Sequence, residues 1–318
     1  MSLRRLQTPA LAAALLTALL CQPAAAKPAR AGALRFGVIG HSFKSGPDDT
    51  LLRHAIQQTD HAKLAFVVVG GIKAEAEACS DKLYARRMQL LDDSERPLVL
   101  SLAAGDWSAC KNSLGKSNAI ERLNRLRELF FADDNSLGAR KITLSRLSSS
   151  AKFRSYAENA HWEAGRVLFA TVNLPANNNH YLPEAGRNSE FEDRLVANRA
   201  WLQRLFAMAQ RKKLDGIVLF SDGDVGAHTQ PGKSLLPSFD TKQDGFAGTR
   251  RQIIALSKKF SGKVLLVDTE SGKNPAPPAI LWRDNLGHIS VNAEWVGFSV
   301  NPGRTPLFDI DDADPATP

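Results

Sequence analysis

Residues 66–81, FVVVGGIKAEAEACSD, contain the clearest signals of local structure in this chain. The first four residues are an uninterrupted apolar run, which is typical of a strand buried on both faces of a sheet. The run ends in the glycine pair Gly70 and Gly71, and Asp81 then begins a segment with helical spacing of apolar residues. The stretch therefore predicts a buried strand, a tight turn and a helix.

The same order of strand, turn and helix repeats through the chain. Short apolar runs predict strands, and longer segments with apolar residues three and four positions apart predict helices. The predicted strands are residues 34–40, 96–103, 166–174, 214–224 and 262–268, and the predicted helices are residues 48–58, 118–131, 190–213 and 250–260. Strands joined through helices indicate a mainly parallel sheet with helices on both sides, in which sites lie beyond the carboxyl ends of the strands.

Composition and the chain ends bound the class of protein. The 318 residues are 43% hydrophobic and 23% charged, which is ordinary for a soluble globular protein. Residues 1–26 have two arginines, an apolar run and a small-residue cleavage site, which predicts a secretory signal peptide. We expect one domain over residues 27–308, a disordered acidic tail over 309–318, and secretion across the inner membrane into the periplasm. No later stretch approaches the about 20 apolar residues of a membrane span, so we expect no transmembrane segment in the mature chain.

Charge restricts the choice of partner. The formal net charge is +8, and loss of Arg4 and Arg5 with the signal peptide would lower it to +6. The basic residues are scattered in short clusters with little aromatic interleaving, so we expect no nucleic-acid partner. An unknown small molecule or an anionic ligand of the cell envelope is the expected partner.

Cysteine usage predicts a disulfide. Cys21 would leave with the signal peptide, which leaves Cys79 and Cys110 as a pair in an oxidising compartment. Both follow a strand-end turn, which places them at the same edge of the sheet. A disulfide is the prediction, and two free buried thiols are the alternative.

Two motifs in these turns resemble a known family. Residues 70–81, GGIKAEAEACSD, and residues 103–110, AAGDWSAC, are similar to the pattern G-D-I-K…C-S-D…G-D-N-E-W-T-D-C of an exported bacterial branch of the calcineurin-like metallophosphoesterases. The resemblance covers about residues 34–300. It implies an α/β fold that is a four-layer sandwich, with two mixed β-sheets packed face to face and helices outside. It also implies a hydrolase site with two metal ions between the strand ends.

The chain departs from the family's ligand set at most of these turns. The resemblance places His41 where the family has a metal-binding aspartate and Gly71 where it has the carboxylate that bridges both ions. In the third turn only Asp106 is acidic, the fourth ligand falls near Asp222, and the last turn, residues 267–272, has no histidine. Two dications repel strongly without a bridging carboxylate, so the departures predict a degenerate two-metal site.

Several polar residues at the turns remain candidates for a site. His41 and Asp106 are the catalytic candidates, with a carbonyl-bonded histidine and a turn aspartate as the alternatives. His41, Asp222 and Asp268 are the metal-ligand candidates for a single divalent cation, and no other cofactor is expected. The full set for a binding cleft is His41, Asp106, Asn173, Asn177, Asp222, Asp224 and Asp268. For Asp222 and Asp224 the alternative is that they are solvated acids of a loop. For Asn177 the alternative is an asparagine-rich turn that binds no ligand.

These observations leave two main functional hypotheses. The leading one is an exported pseudoenzyme with a phosphoesterase fold, which acts in binding or interaction through the strand-end cleft. The alternative is an active metal-dependent phosphoesterase with a rebuilt, single-metal site. Convergence of the candidate side chains on one point would favour the enzyme, and side chains that point apart would favour the binding protein.

Overall fold

The computed structural model describes residues 33–40, 43, 48–184, 188–229, 243–270 and 278–311. They build an α/β structure around two mixed sheets. The strands, in chain order, are β1 Leu34–Ile39, β2 Val67–Gly70, β3 Leu98–Ser101, β4 Ser145–Arg146, β5 Ala160–Ala164, β6 Val167–Thr171, β7 Gly216–Ser221, β8 Lys263–Asp268, β9 Leu281–Arg283, β10 Leu286–Ser290, β11 Trp295–Val300 and β12 Phe308–Asp311. The helices are α1 Thr50–His61, α2 Asp81–Asp92, α3 Ala104–Trp107, α4 Ala119–Phe130, α5 Ser189–Arg211 and α6 Ala247–Ser257, with short 3-10 turns between them.

The parallel strands occupy the centre of each sheet. The five-stranded sheet has the order β12-β11-β1-β2-β3, with β1, β2 and β3 parallel. The seven-stranded sheet has the order β4-β5-β6-β7-β8-β10-β9, with β6, β7, β8 and β10 parallel. The remaining strands pair antiparallel at the sides of these groups. The turns after β1, β2, β3, β7 and β8 therefore all lie at carboxyl ends of parallel strands.

Three apolar clusters define four layers. One cluster lies between the sheets, where Phe36 of β1 contacts Phe298 of the same sheet at 4.9 Å and Phe169 of the other sheet at 5.3 Å between ring centroids. A second cluster joins the five-stranded sheet to α1, α2 and α4, and a third joins the seven-stranded sheet to α5 and α6. Strand side chains alternate between the inner and outer clusters, as a sheet covered on both faces requires. The predicted four-layer α/β sandwich is confirmed.

Two further predictions meet the structure at this level. Cys79 and Cys110 form the predicted disulfide, with Cα atoms 5.8 Å apart. The prediction for residues 309–318 was wrong at its start, because residues 309–311 belong to β12 and pair with residues 297–299 of β11. Residues 1–26 and 312–318 lie outside the described residues. Within the described ranges, no helix is long and apolar enough to cross a membrane.

Candidate functional site

The carboxyl ends of parallel strands from both sheets meet around one threonine side chain. Thr269, directly after β8, faces Gly70 at the end of β2 and Gly40 after β1. A Cβ atom at Gly70 would lie 2.5 Å from Thr269 Cγ2, and one at Gly40 would lie 3.3 Å from the same atom. The space between these strand ends is therefore filled by Thr269, and Gly70 has no room for any larger residue.

The backbone conformation of Gly71 and the packing around it both disfavour a side chain at this position. Its φ of +78° lies in the left-handed region that favours glycine. A Cβ atom there would lie 2.8 Å from Ala103 Cβ and 3.4 Å from Asp106 Oδ1. The position at which the resemblance places the bridging carboxylate thus cannot hold a side chain unless the turn after β3 moves.

Asp106 holds two turns together through backbone hydrogen bonds. Its Oδ1 accepts the N–H of Ile72 and its Oδ2 accepts the N–H of Ala103, both at 2.8 Å. The side chain is fully buried, and burial raises the pKa of Asp106 to about 7 against the opposing effect of the two hydrogen bonds. Both carboxylate oxygens already have a donor, so Asp106 acts as a connector between the turns after β2 and β3.

Asp222 connects the two sheets in the same way. Its Oδ2 accepts the N–H groups of Ala104 at 2.7 Å and Ala176 at 2.8 Å, and the Thr269 hydroxyl lies 3.4 Å from its Oδ1. Burial raises the pKa of Asp222 above its ordinary value. The predicted fourth metal ligand is therefore engaged by backbone donors from two different loops.

The asparagine candidates bond to neighbouring protein groups. Asn173 is buried and its Nδ2 donates to Glu158 Oε1 at 3.0 Å. Asn177 Nδ2 donates to Ser108 Oγ at 3.0 Å, which links its loop to the residue after α3. Among the described residues, neither asparagine side chain forms a hydrogen bond with Asp224 or Asp268.

A separate cluster of ionisable side chains lies on the helix-covered face of the seven-stranded sheet. His288 Nε2 lies 2.5 Å from Asp268 Oδ2 and 3.4 Å from Asp224 Oδ1. The rings of His228 and His288 stack at 3.8 Å with an interplanar angle of 3°. Glu270 Oε2 accepts the N–H of Asp224 at 2.8 Å. Leu266 and Leu286 belong to the apolar cluster between this sheet and its helices. Because alternate residues of a strand lie on the same face, Asp268 and His288, two positions further along their strands, lie on that face as well.

Burial and charge act in opposite directions on the two histidines. Burial would lower the pKa of His288, but the hydrogen bond and charge of Asp268, with the charge of Asp224, outweigh it and raise that pKa. Burial lowers the pKa of His228, and the positive charge of His288 lowers it further. Burial raises the pKa of Asp268, against the effect of its hydrogen bond with His288. His288 is therefore the more basic of the two histidines.

The predicted cleft residues thus fall into separate places. Asp106 and Asp222 lie at the junction of the sheets, whereas Asp224 and Asp268 lie on the outer face. His41 lies outside the described residues. His228 closes the polar stretch at the end of β7, residues 221–228, whereas the sequence pattern does not single out His288, because it lies inside the strand β10.

A cavity of about 720 Å³ lies at the opposite edge, beside the amino ends of β7 and β8. Trp282 is among its lining residues, and Lys263 Nζ lies 5.0 Å from the Trp282 ring centroid. The basic residues that line it are Lys213, Lys259, Lys263 and Arg304. The acidic lining residue is Asp215, which pairs with Arg166 at 2.9 Å. The cavity therefore carries an excess of positive charge.

No protein-family model matches the chain, and no curated protein matches it. The likeness to metallophosphoesterases accordingly rests on the motifs in residues 70–81 and 103–110.

Proposed function

We propose that this chain is an exported, periplasmic binding protein with a calcineurin-like phosphoesterase fold that does not support two-metal hydrolysis. The observation that carries the proposal is the closure of Gly71. A Cβ atom at this position would lie 2.8 Å from Ala103 Cβ, and the backbone has a conformation that residues with side chains rarely adopt. A bridging carboxylate is what offsets the repulsion between two neighbouring dications.

The remaining acids at this junction support the same proposal. An ion bound there would compete with the N–H groups of Ile72 and Ala103 for Asp106, and with those of Ala104 and Ala176 for Asp222. Releasing these donors would leave four N–H groups without their partners, and for the buried N–H of Ile72 the cost is about 1–3 kcal/mol. The turns are therefore stabilised by the carboxylates that a metal centre would require.

The basic cavity indicates the charge of the ligand. Four cationic residues line it beside one acid that is already paired, so an anionic ligand would gain favourable electrostatic interactions there. Trp282 is 37% exposed and adds an aromatic surface. We propose an anionic small molecule or an anionic segment of an envelope polymer as the ligand, with salt-dependent affinity.

A second candidate function is metal-dependent phosphoester hydrolysis at a single-metal site. The grouping of Asp224, His228 and His288, whose ligand atoms lie within 4.8 Å of one another, is the observation that favours it. Three protein ligands leave a coordination position for water in catalytic zinc sites.

Hydrolysis assays separate the candidates. The protein is incubated with Mn²⁺ or Zn²⁺ and given bis(p-nitrophenyl) phosphate or p-nitrophenyl phosphate, beside identically purified Asp222→Asn and His228→Gln variants. The binding proposal predicts the same background rate in all three preparations. Turnover that His228→Gln abolishes would select the single-metal hydrolase, and turnover that Asp222→Asn abolishes would restore a site at the sheet junction.

A further inference from the structure

We infer that Asp224, His228 and His288 form a binding site for one transition-metal dication of the Zn²⁺ type, held in position by Asp268. The site is distinct from the sheet junction. Its residues come from the loop after β7 and from β10, and they lie on the helix-covered face of the seven-stranded sheet. The inference does not depend on the proposed binding function.

Unpartnered imidazole nitrogens point to a ligand. The Nδ1 atoms of His228 and His288 are buried and make no hydrogen bond within the part of the chain that the structure describes. The His288 side chain is only 7% exposed and that of His228 only 14%. A buried polar atom without a partner destabilises a fold, so these nitrogens are expected to have one. The carboxylate of Asp224 lies beside both rings, 3.7 Å from His228 Nδ1 and 3.4 Å from His288 Nε2.

Asp268 supplies the support that metal-binding histidines usually have. Its Oδ2 lies 2.5 Å from His288 Nε2, which fixes the ring and leaves Nδ1 as the nitrogen available for a metal. Glu270 holds the backbone of Asp224, because its carboxylate accepts the Asp224 N–H at 2.8 Å. Asp224 Oδ1 accepts the N–H of Gly226 at 2.7 Å, which leaves its Oδ2 as the oxygen without a backbone donor. Asp268 is therefore a positioning residue rather than a ligand.

The stacked rings define how the ion would enter. A nitrogen lone pair lies in the plane of its ring, and two stacked rings with centroids 3.8 Å apart and an interplanar angle of 3° direct their lone pairs nearly parallel to one another. One ring must turn for both nitrogens to reach one ion. His288 is fixed by Asp268 within β10, whereas His228 lies in a loop, so His228 is the ring that turns. The space bounded by Asp224, Asp268 and His288 is about 10 Å³, the size of one water at most.

The donor set selects the kind of metal. Imidazole nitrogens suit Zn²⁺, Cu²⁺ and Ni²⁺, whereas Mg²⁺ and Ca²⁺ prefer oxygen ligands throughout. Two imidazoles and one carboxylate make three ligands, so a tetrahedral ion would keep one further position for water or an anion.

The test measures Zn²⁺ and Co²⁺ binding to the protein purified from the full chain without a polyhistidine tag. Calorimetry gives the Zn²⁺ stoichiometry and Kd, and the visible absorption of Co²⁺ reports nitrogen coordination. The variants are His228→Gln, His288→Gln, Asp224→Asn and Asp268→Asn. His54→Gln and His61→Gln are matched controls, since both histidines are exposed and outside the cluster. Circular dichroism shows whether each variant is folded.

One equivalent of Zn²⁺ is expected in the wild type and in both controls. Asp268→Asn should weaken binding by about 10–100-fold, the range for supporting residues of metal sites, and each ligand variant by more than that. Unchanged Zn²⁺ affinity in folded His228→Gln would overturn the inference even if His288→Gln fails to fold. Loss of binding in His41→Gln but not in His228→Gln would also overturn it, and would assign the ion to the turn after β1.

Discussion

The backbone conformation and the packing of Gly71 predict that even one methyl group there is destabilising. Gly71→Ala forces an L residue to a φ of +78°, which by itself costs about 1–2 kcal/mol. Its Cβ would also lie 2.8 Å from Ala103 Cβ, and overpacking of that kind costs about 1–3 kcal/mol. The free energy of unfolding should therefore fall by about 2–5 kcal/mol in total.

Gly115→Ala separates the two contributions. Gly115 has a φ of +74°, and a Cβ there meets no atom within 4 Å, so it should show only the backbone contribution of about 1–2 kcal/mol. Ala103→Gly, combined with Gly71→Ala, should recover the steric part. Urea unfolding with the disulfide intact measures all four proteins. Equal stability of the Gly71→Ala and Gly115→Ala variants, or no recovery in the double variant, would refute the steric argument.

Three further predictions concern other parts of the chain. Asp106 has a pKa of about 7 in the folded protein, above its value in the unfolded chain, so the native state binds more protons than the unfolded state between these two pKa values. The free energy of unfolding should therefore fall by at most about 4 kcal/mol as the pH rises from about 4 to 7. Asp106→Asn should lack this decrease in urea titrations. Affinity for dextran sulfate should fall with added salt and with Arg304→Glu, but not with the charge-matched Lys116→Glu outside the cavity, as calorimetry would show. Replacement of Cys79 and Cys110 by serine removes a disulfide between positions 31 residues apart, which gives the unfolded chain more freedom and should lower the free energy of unfolding by about 3–4 kcal/mol. An unchanged urea midpoint would contradict this.

The fold was predictable because its signals are local. Apolar runs such as residues 66–69 are long enough to mark strands covered on both faces, and glycines mark their ends. The pairing of Cys79 with Cys110 followed because each comes after a strand end of the same sheet. Each of these features depends on a few neighbouring residues.

The candidate site was less predictable because it depends on tertiary contacts. Asp222 and Asp224 are two positions apart, which suggests one face of a strand, but β7 ends at Ser221 and the chain then turns. Asp222 consequently meets Ala104 at the sheet junction, whereas Asp224 meets His288 on the outer face. His288 lies inside β10, where nothing in the local pattern distinguishes it from a core residue.

The same reasoning explains Gly71. The sequence shows that the position has no carboxylate, but only the structure shows that Ala103 and Asp106 fill the space. A missing ligand can in principle be replaced by a neighbour, whereas a filled space requires the surrounding turns to move. Closure of the junction therefore supports the binding proposal more strongly than the substitution alone.

The number of metal ions that the wild-type protein retains distinguishes a filled sheet junction from a two-metal centre. The protein is incubated with Mn²⁺ and Zn²⁺, excess ion is removed, and the retained metals are measured by mass spectrometry beside His228→Gln. One Zn²⁺ per chain is expected in the wild type, none in His228→Gln, and no Mn²⁺ in either. Two ions retained per wild-type chain would contradict this expectation, because a second ion would require the sheet junction to be open.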